Sequence, residues 1–131
     1  MSAGEIIRLV ENEGCSLEAM NGRLKITQGE RLDPSLVEWV KKNKAEIVAV
    51  LNRDKEAQGI GFLVGLYGSI YMQSLGKRSH VYLEDMSEWW ELRRETYTET
   101  ASYSKILAKG TFPDVLQRAS SYFNYIKGVS A

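Results

Sequence analysis

The apolar positions along this chain change period several times, and each change marks an element. Ala3, Ile6, Ile7 and Val10 recur at helical spacing while Glu5, Arg8, Glu11 and Glu13 fall between them, which predicts an amphipathic helix over 3–14 ended by Gly14. Alternation then takes over around Asn21-Gly22, a pair suited to a two-residue turn because both positions tolerate positive φ. With that turn, Met20 faces Arg23, Ala19 faces Leu24, Glu18 faces Lys25 and Leu17 faces Ile26. Leu17, Ala19, Leu24 and Ile26 then share one face, and the Glu18–Lys25 pair lies on the other. Asp33-Pro34 reads as a helix cap and first turn. Leu36, Val37, Val40, Ile47, Val48 and Leu51 carry the helical stripe to about residue 53, as one helix or as two with a bend at Asn43. The polar stretch 52–58 ends in Gly59 and reads as a boundary between modules.

Beyond it the pattern is weaker. Residues 60–67 fit a buried strand or a helix. Gly76-Lys77 is placed to turn a hairpin that sets Ile70 opposite Leu83 and Met72 opposite Val81. Residues 80–84 and 89–93 read as strands around a turn at 85–88, 95–100 favours extended chain, and 103–107 adds a short strand. Phe112, Val115, Leu116, Ala119, Tyr122, Phe123 and Ile126 form the stripe of a last helix, with Thr111 or Asp114 at its start and Gly128 after its end. The fold class is therefore α+β: an α-β-β-α-α module over 1–56, then a small antiparallel sheet with a C-terminal helix over 57–131.

Composition narrows the function classes. Hydrophobic residues make up 44% and charged residues 26% of the 131 positions, as in ordinary globular chains. Net charge is zero. It divides evenly, with nine Lys/Arg against ten Asp/Glu in 1–58 and eight against seven in 59–131, so neither part is a basic block that would bind nucleic acid through phosphate charge alone. The single cysteine, Cys15, allows no intramolecular disulfide and no thiolate cage, which fits a reducing cytoplasm. The opening Met1–Arg8 lacks the basic, apolar, small-residue order of a secretion signal. Residues 57–76 carry no charge and contain the spacing Gly61-x-x-x-Gly65, but their five glycines and polar Gln58, Ser69, Gln73 and Ser74 fit a buried soluble segment better than a membrane span.

Catalytic signals are sparse. One histidine, His80, and one cysteine are 65 positions apart, too thin a supply for a nucleophile triad or a His/Cys metal site. Glu84, Asp85, Glu88 and Glu91 gather at a turn and read as a solvated loop rather than as paired acid–base carboxylates. Gly59-x-Gly61-x-x-x-Gly65 misses the dinucleotide spacing by one, and no Gly-Lys-Ser/Thr follows it. Trp89 and Trp90 are adjacent and, on a strand, point to opposite faces; with Arg93 and Arg94 they form a secondary interaction surface. No catalytic residue, metal or cofactor is assigned.

Residues 4–52 resemble the TubC-type N-terminal docking domain of non-ribosomal peptide synthetase and polyketide assembly lines. The likeness lies in Ile6-Ile7 and Gly14, Leu17, the hairpin Asn21-Gly22-Arg23-Leu24-Lys25, Asp33-Pro34 with Leu36, and Lys44 with Ile47 and Leu51. The resemblance implies a dimeric module that captures a short peptide by adding it to the hairpin as a strand. About 75 unrelated residues follow where such modules precede a catalytic domain, so no assembly-line chemistry is implied. Similar modules on mobile-element proteins open a second reading, an accessory or inhibitor protein that binds a host machine.

The expected function is thus non-catalytic protein–protein docking. Arg23, Leu24, Lys25, Ile26, Thr27 and Gln28 are the expected partner-binding strand, and the basic side chains favour an acidic peptide. A homodimer in the cytoplasm is expected and no membrane partner is. A nucleic-acid reading would use Lys77, Arg78, Arg93, Arg94 and Lys105 with Trp90 or Tyr82, and ranks below docking.

Overall fold

The computed structural model describes residues 1–130, and side chains as far as residue 128. It is α+β, with four helices and seven strands in two antiparallel sheets among the described residues. The chain divides into two compact units. One comprises Met1–Glu56 with Leu66–Gly68, and the other Ala57–Gly65 with Ser69 onward.

In the first unit, helix α1 (Ala3–Asn12) is capped by Ser2, whose Oγ accepts from the Glu5 amide at 3.2 Å. Its stripe Ala3, Ile6, Ile7 and Val10 is buried, each large side chain worth about 1.5–3 kcal/mol relative to exposure. Gly14 at φ 81° ends the turn. Strands β1 (Ser16–Met20) and β2 (Arg23–Thr27) pair in the expected register, from Met20 opposite Arg23 to Leu17 opposite Ile26. Asn21 at φ 52° and Gly22 at φ 74° make the turn. After a 3-10 turn at Gly29–Arg31, helix α2 (Pro34–Lys42) starts at Asp33, whose Oδ1 accepts from the Ser35 amide at 2.8 Å. The Ser35 hydroxyl and amide hydrogen bonds hold the Asp33 carboxyl below its ordinary pKa.

The helical stripe is two helices, not one. Asn43 leaves helical geometry, and its Nδ2 donates to the Trp39 carbonyl at 2.8 Å, closing α2 before α3 (Lys44–Gly59) begins. The polar stretch 52–58, where a boundary is expected, is helical as the second half of α3, and the two units divide within it, between Glu56 and Ala57. Ile47, Val50, Asp54 and Ala57 continue one buried row, and the polar appearance of the stretch hides it because one member is an aspartate. Asp54, 7% exposed, accepts from the Gly68 amide at 3.0 Å, while Arg53 Nη2 donates to the Gly68 carbonyl at 3.3 Å. Gly68 sits at φ 72°, and a Cβ there would lie 2.7 Å from Val50 Cγ1, so only glycine fits. Tyr67 packs against the same core and donates its hydroxyl to Glu11. These contacts make Leu66–Gly68 part of the first unit.

The five-stranded sheet is a meander of β3 (Leu63–Leu66, whose last residue belongs to the first unit), β4 (Ile70–Gly76), β5 (Ser79–Asp85), β6 (Trp90–Tyr97) and β7 (Ser102–Gly110), in that order across the sheet. Strand β3 decides the strand-or-helix ambiguity at 60–67. The β4–β5 register differs from the expected one: Ile70 faces Glu84, Tyr71 faces Leu83 and Gln73 faces Val81. The turn lies at Lys77-Arg78, and a bulge between Ser74 and Gly76 takes up one residue, held by a 2.7 Å hydrogen bond from Ser74 Oγ to the Gly76 carbonyl. The buried residue of β4 is consequently Tyr71 rather than Ile70. Strand β7 is longer than the expected 103–107 segment and bulges opposite Leu92/Arg93.

Helix α4 (Phe112–Ser130) starts at Thr111, whose Oγ1 accepts from the Asp114 amide at 3.4 Å. Phe112, Val115, Ala119 and Phe123 pack with Tyr71, Val81, Leu83 and Leu92 of the sheet. Trp90 lies 4.8 Å from Phe112 and stacks on Tyr71 at 6.2 Å between ring centroids. No helix among the described residues is long and apolar enough to cross a membrane.

Candidate functional site

The β1–β2 sheet has only two strands, so β2 has a neighbour on one side alone. A two-residue turn makes Met20 and Arg23 a hydrogen-bonded pair, and the alternation of antiparallel ladders does the rest. Arg23, Lys25 and Thr27 turn their backbone groups toward β1. Leu24 and Ile26 turn theirs to the outer edge. Among the described residues, no backbone hydrogen bond from outside the hairpin reaches 23–27. The side chains alternate in the perpendicular sense. Leu24 and Ile26 are half-buried against the first core, whereas Arg23, Lys25 and Thr27 are exposed. Neither Arg23 nor Lys25 forms an ion pair of 4.0 Å or less among the described residues.

The structure therefore brings five of the six expected partner-binding residues onto one strand. Gln28 departs from them. It takes a left-handed conformation at φ 59°, and its carbonyl accepts from Cys15 Sγ at 3.2 Å and from the Arg31 amide at 3.1 Å, so the strand stops at Thr27. Cys15 itself is buried in the core.

The expected secondary surface is divided between the two faces of the five-stranded sheet. Trp90 joins the core, and Arg94 faces the helix side, donating to Ser79 Oγ at 2.7 Å and to the Tyr122 hydroxyl at 2.6 Å. Arg93 faces the opposite side. Its guanidinium meets Glu84 at 2.7 Å, Glu95 at 3.2 Å and Glu91 at 3.5 Å, and lies 5.0 Å from the Tyr82 ring centre. Burial alone would lower the Arg93 pKa, but the hydrogen bonds to Glu84 and Glu95 outweigh it and raise it. Trp89 carries Lys109 Nζ 5.1 Å from its ring centre. The four residues 89, 90, 93 and 94 do not form one surface.

The acidic turn is also resolved. Glu84 and Glu91 are engaged by Arg93, and Asp85 Oδ1 accepts from the Ser87 amide at 2.9 Å. The Tyr97 hydroxyl donates to Glu95 at 2.6 Å. That bond, with Arg93 behind it, keeps the Glu95 carboxyl below its ordinary pKa and pushes the Tyr97 phenol up. Residue type alone concealed this cluster. The signal was positional: Glu91, Arg93 and Glu95 alternate on one strand, with Glu84 one step away on the next. His80 lies between the Tyr82 and Tyr97 rings, at 6.4 and 5.8 Å. Of the basic set read for nucleic acid, Arg78 pairs with Glu99 at 3.8 Å and Arg93 and Arg94 are engaged as above. Among the described residues no group of three or more His, Cys, Asp or Glu is arranged to hold a metal ion.

No known family matches this chain, nor does any curated protein or solved structure.

Proposed function

We propose that this chain is a non-catalytic docking protein that captures an extended, acidic peptide of a protein partner as a third strand on the outer edge of β2. The observation that carries the reading is the edge itself: Leu24 and Ile26 aim backbone donors and acceptors away from β1, and nothing among the described residues pairs with them. Arg23 and Lys25 stand beside that edge without ion-pair partners, so carboxylates steer in and set register. The likeness to docking modules points the same way. The buried thiol of Cys15 and the lack of any other cysteine fit a reducing cytoplasm as its compartment.

The protein also pairs with a second copy on this reading. Trp39, 42% exposed on α2, is the apolar side chain available for it. Val50 on α3 is buried in the first core and offers no such surface.

Titrating the isotopically labelled full chain with a nine-residue glutamate-rich peptide should move the amide signals of Leu24 and Ile26 first. The double variant Arg23→Glu, Lys25→Glu should abolish those shifts while the melting curve stays in place. Shifts that spare 23–27 entirely would contradict the proposal.

A further inference from the structure

The second unit carries another strand edge, and it differs chemically from the first. Strand β7 is last in its sheet and pairs only with β6. Tyr103, 62% exposed, and Ile106, 51% exposed, project from it. Along this edge runs a groove against α4. One cavity of ≈ 570 Å³ is lined by Ala108, Lys109, Asp114, Val115, Gln117, Arg118 and Ser121. A second of ≈ 410 Å³ adds Leu92, Lys105, the Ile106 segment, Leu107 and Tyr122, and shares Arg118 and Ser121 with the first. The two cavities adjoin at Arg118 and Ser121, which line both.

The charge of the groove is lopsided. Lys105 and Arg118 line it against the single carboxylate of Asp114, whereas Lys109, opposite Glu91, carries its ammonium to the Trp89 ring on the other face. The arginines elsewhere in this unit are engaged: Arg78 by Glu99, Arg93 by three glutamates, and Arg94 by Ser79 and Tyr122. The side chains of Arg118 and Lys105 have no hydrogen bond or ion pair among the described residues. The bulge opposite Leu92/Arg93 fixes where these charges fall. Beyond it Lys105 lies opposite Arg94, on the helix side, and Ile106 lies opposite Arg93, on the other side. A strand added to β7 would therefore meet cations with the side chains it turns toward α4, and the Ile106 surface with those it turns away.

We propose that the β7–α4 groove is a second docking site, for an extended peptide of another protein that carries acidic residues at alternate positions and adds to β7 as a sixth strand. A bulge and lysines on an edge strand discourage indiscriminate pairing, and here they also select the sign of the partner. A second copy of β7 is a poorer occupant, since it would double the cationic rim along one seam. The inference does not rest on the hairpin reading, because the two edges belong to different units.

The test uses the full chain carrying Arg23→Glu and Lys25→Glu, which silences the hairpin edge. The probe is a fluorescein-labelled nine-residue peptide alternating glutamate with valine or threonine, followed by anisotropy. Saturable binding is expected. Adding Lys105→Glu and Arg118→Glu should weaken it at least tenfold with an unchanged melting curve, because both side chains are exposed. The same peptide with its internal amides N-methylated should not bind, because the strand ladder needs those donors. Any of four results would overturn the proposal: no saturable binding to the folded protein, equal binding of a peptide with lysine for glutamate, full binding after N-methylation, or sedimentation as a dimer that Ile106→Lys dissociates.

Discussion

The edges of β2 and β7 both end a sheet, yet they are built differently. Strand β2 has five residues and one partner strand, and its side chains Leu24 and Ile26 rest on the first core. Strand β7 has nine residues and ends a five-stranded sheet that packs with α4. An isolated two-stranded hairpin is marginal in water, so the order of the β2 edge depends on what lies beneath it. The β7 edge draws its order from the sheet behind it. The lesson is that an open edge is only as well formed as the layer supporting it, and the two supports can be attacked separately.

The heaviest blow to the β7 support is Tyr71→Ala. Tyr71 is fully buried and stacks on Trp90, so its loss should cost about 3–5 kcal/mol in chemical denaturation and speed amide exchange across β4–β7. A cost below about 1 kcal/mol would mean that this ring is not the centre of the second core. The matching blow to the first unit is Gly68→Val. Positive φ and the 2.7 Å approach to Val50 together should cost about 2–4 kcal/mol and loosen the Asp54–Gly68 hydrogen bond. The same contacts predict that a fragment ending at residue 56 melts below one ending at residue 68, since it lacks Tyr67 and leaves Asp54 without the Gly68 amide.

A gentler probe is pH. The folded Glu95 carboxyl titrates below its ordinary value of 4.5, chiefly through the Tyr97 hydrogen bond. The stabilisation is therefore complete above that value and is lost as pH falls through the lowered folded pKa. At the alkaline end the sign reverses in form. The Tyr97 phenol is raised by Glu95, so its contribution holds below its ordinary value of 10 and declines as pH climbs above it. Glu95→Gln should flatten both limbs in melts recorded across pH, and unchanged limbs would remove the Glu95–Tyr97 pair from the account.

What the sequence disclosed follows the strength of its turn chemistry. Asn21-Gly22 admits essentially one tight turn, and the register of β1–β2 came with it. Gly76 invited a similar reading, but the extra residue of the Ser74–Gly76 bulge leaves no mark in the apolar pattern, so Tyr71 and Ile70 were exchanged between faces. Residues 52–58 read as a polar boundary and the unit division does fall there, but the helix through it was hidden because Asp54 is polar and its buried role depends on Gly68, fourteen residues on. Of the candidate site, β2 was legible as an alternating strand. The β7–α4 groove was not, because Lys105 and Arg118 come together only once the sheet and the last helix are packed.

The central claim is that the outer edge of β2 is open, and amide hydrogen exchange in the unliganded full chain tests it most directly. The account predicts that Lys25 and Thr27, bonded to β1, exchange slowly, whereas Leu24 and Ile26 exchange close to the rate of unstructured chain and become protected when the acidic peptide is added. Slow exchange at Leu24 and Ile26 in the unliganded protein would mean that the edge is already covered, and would contradict the account.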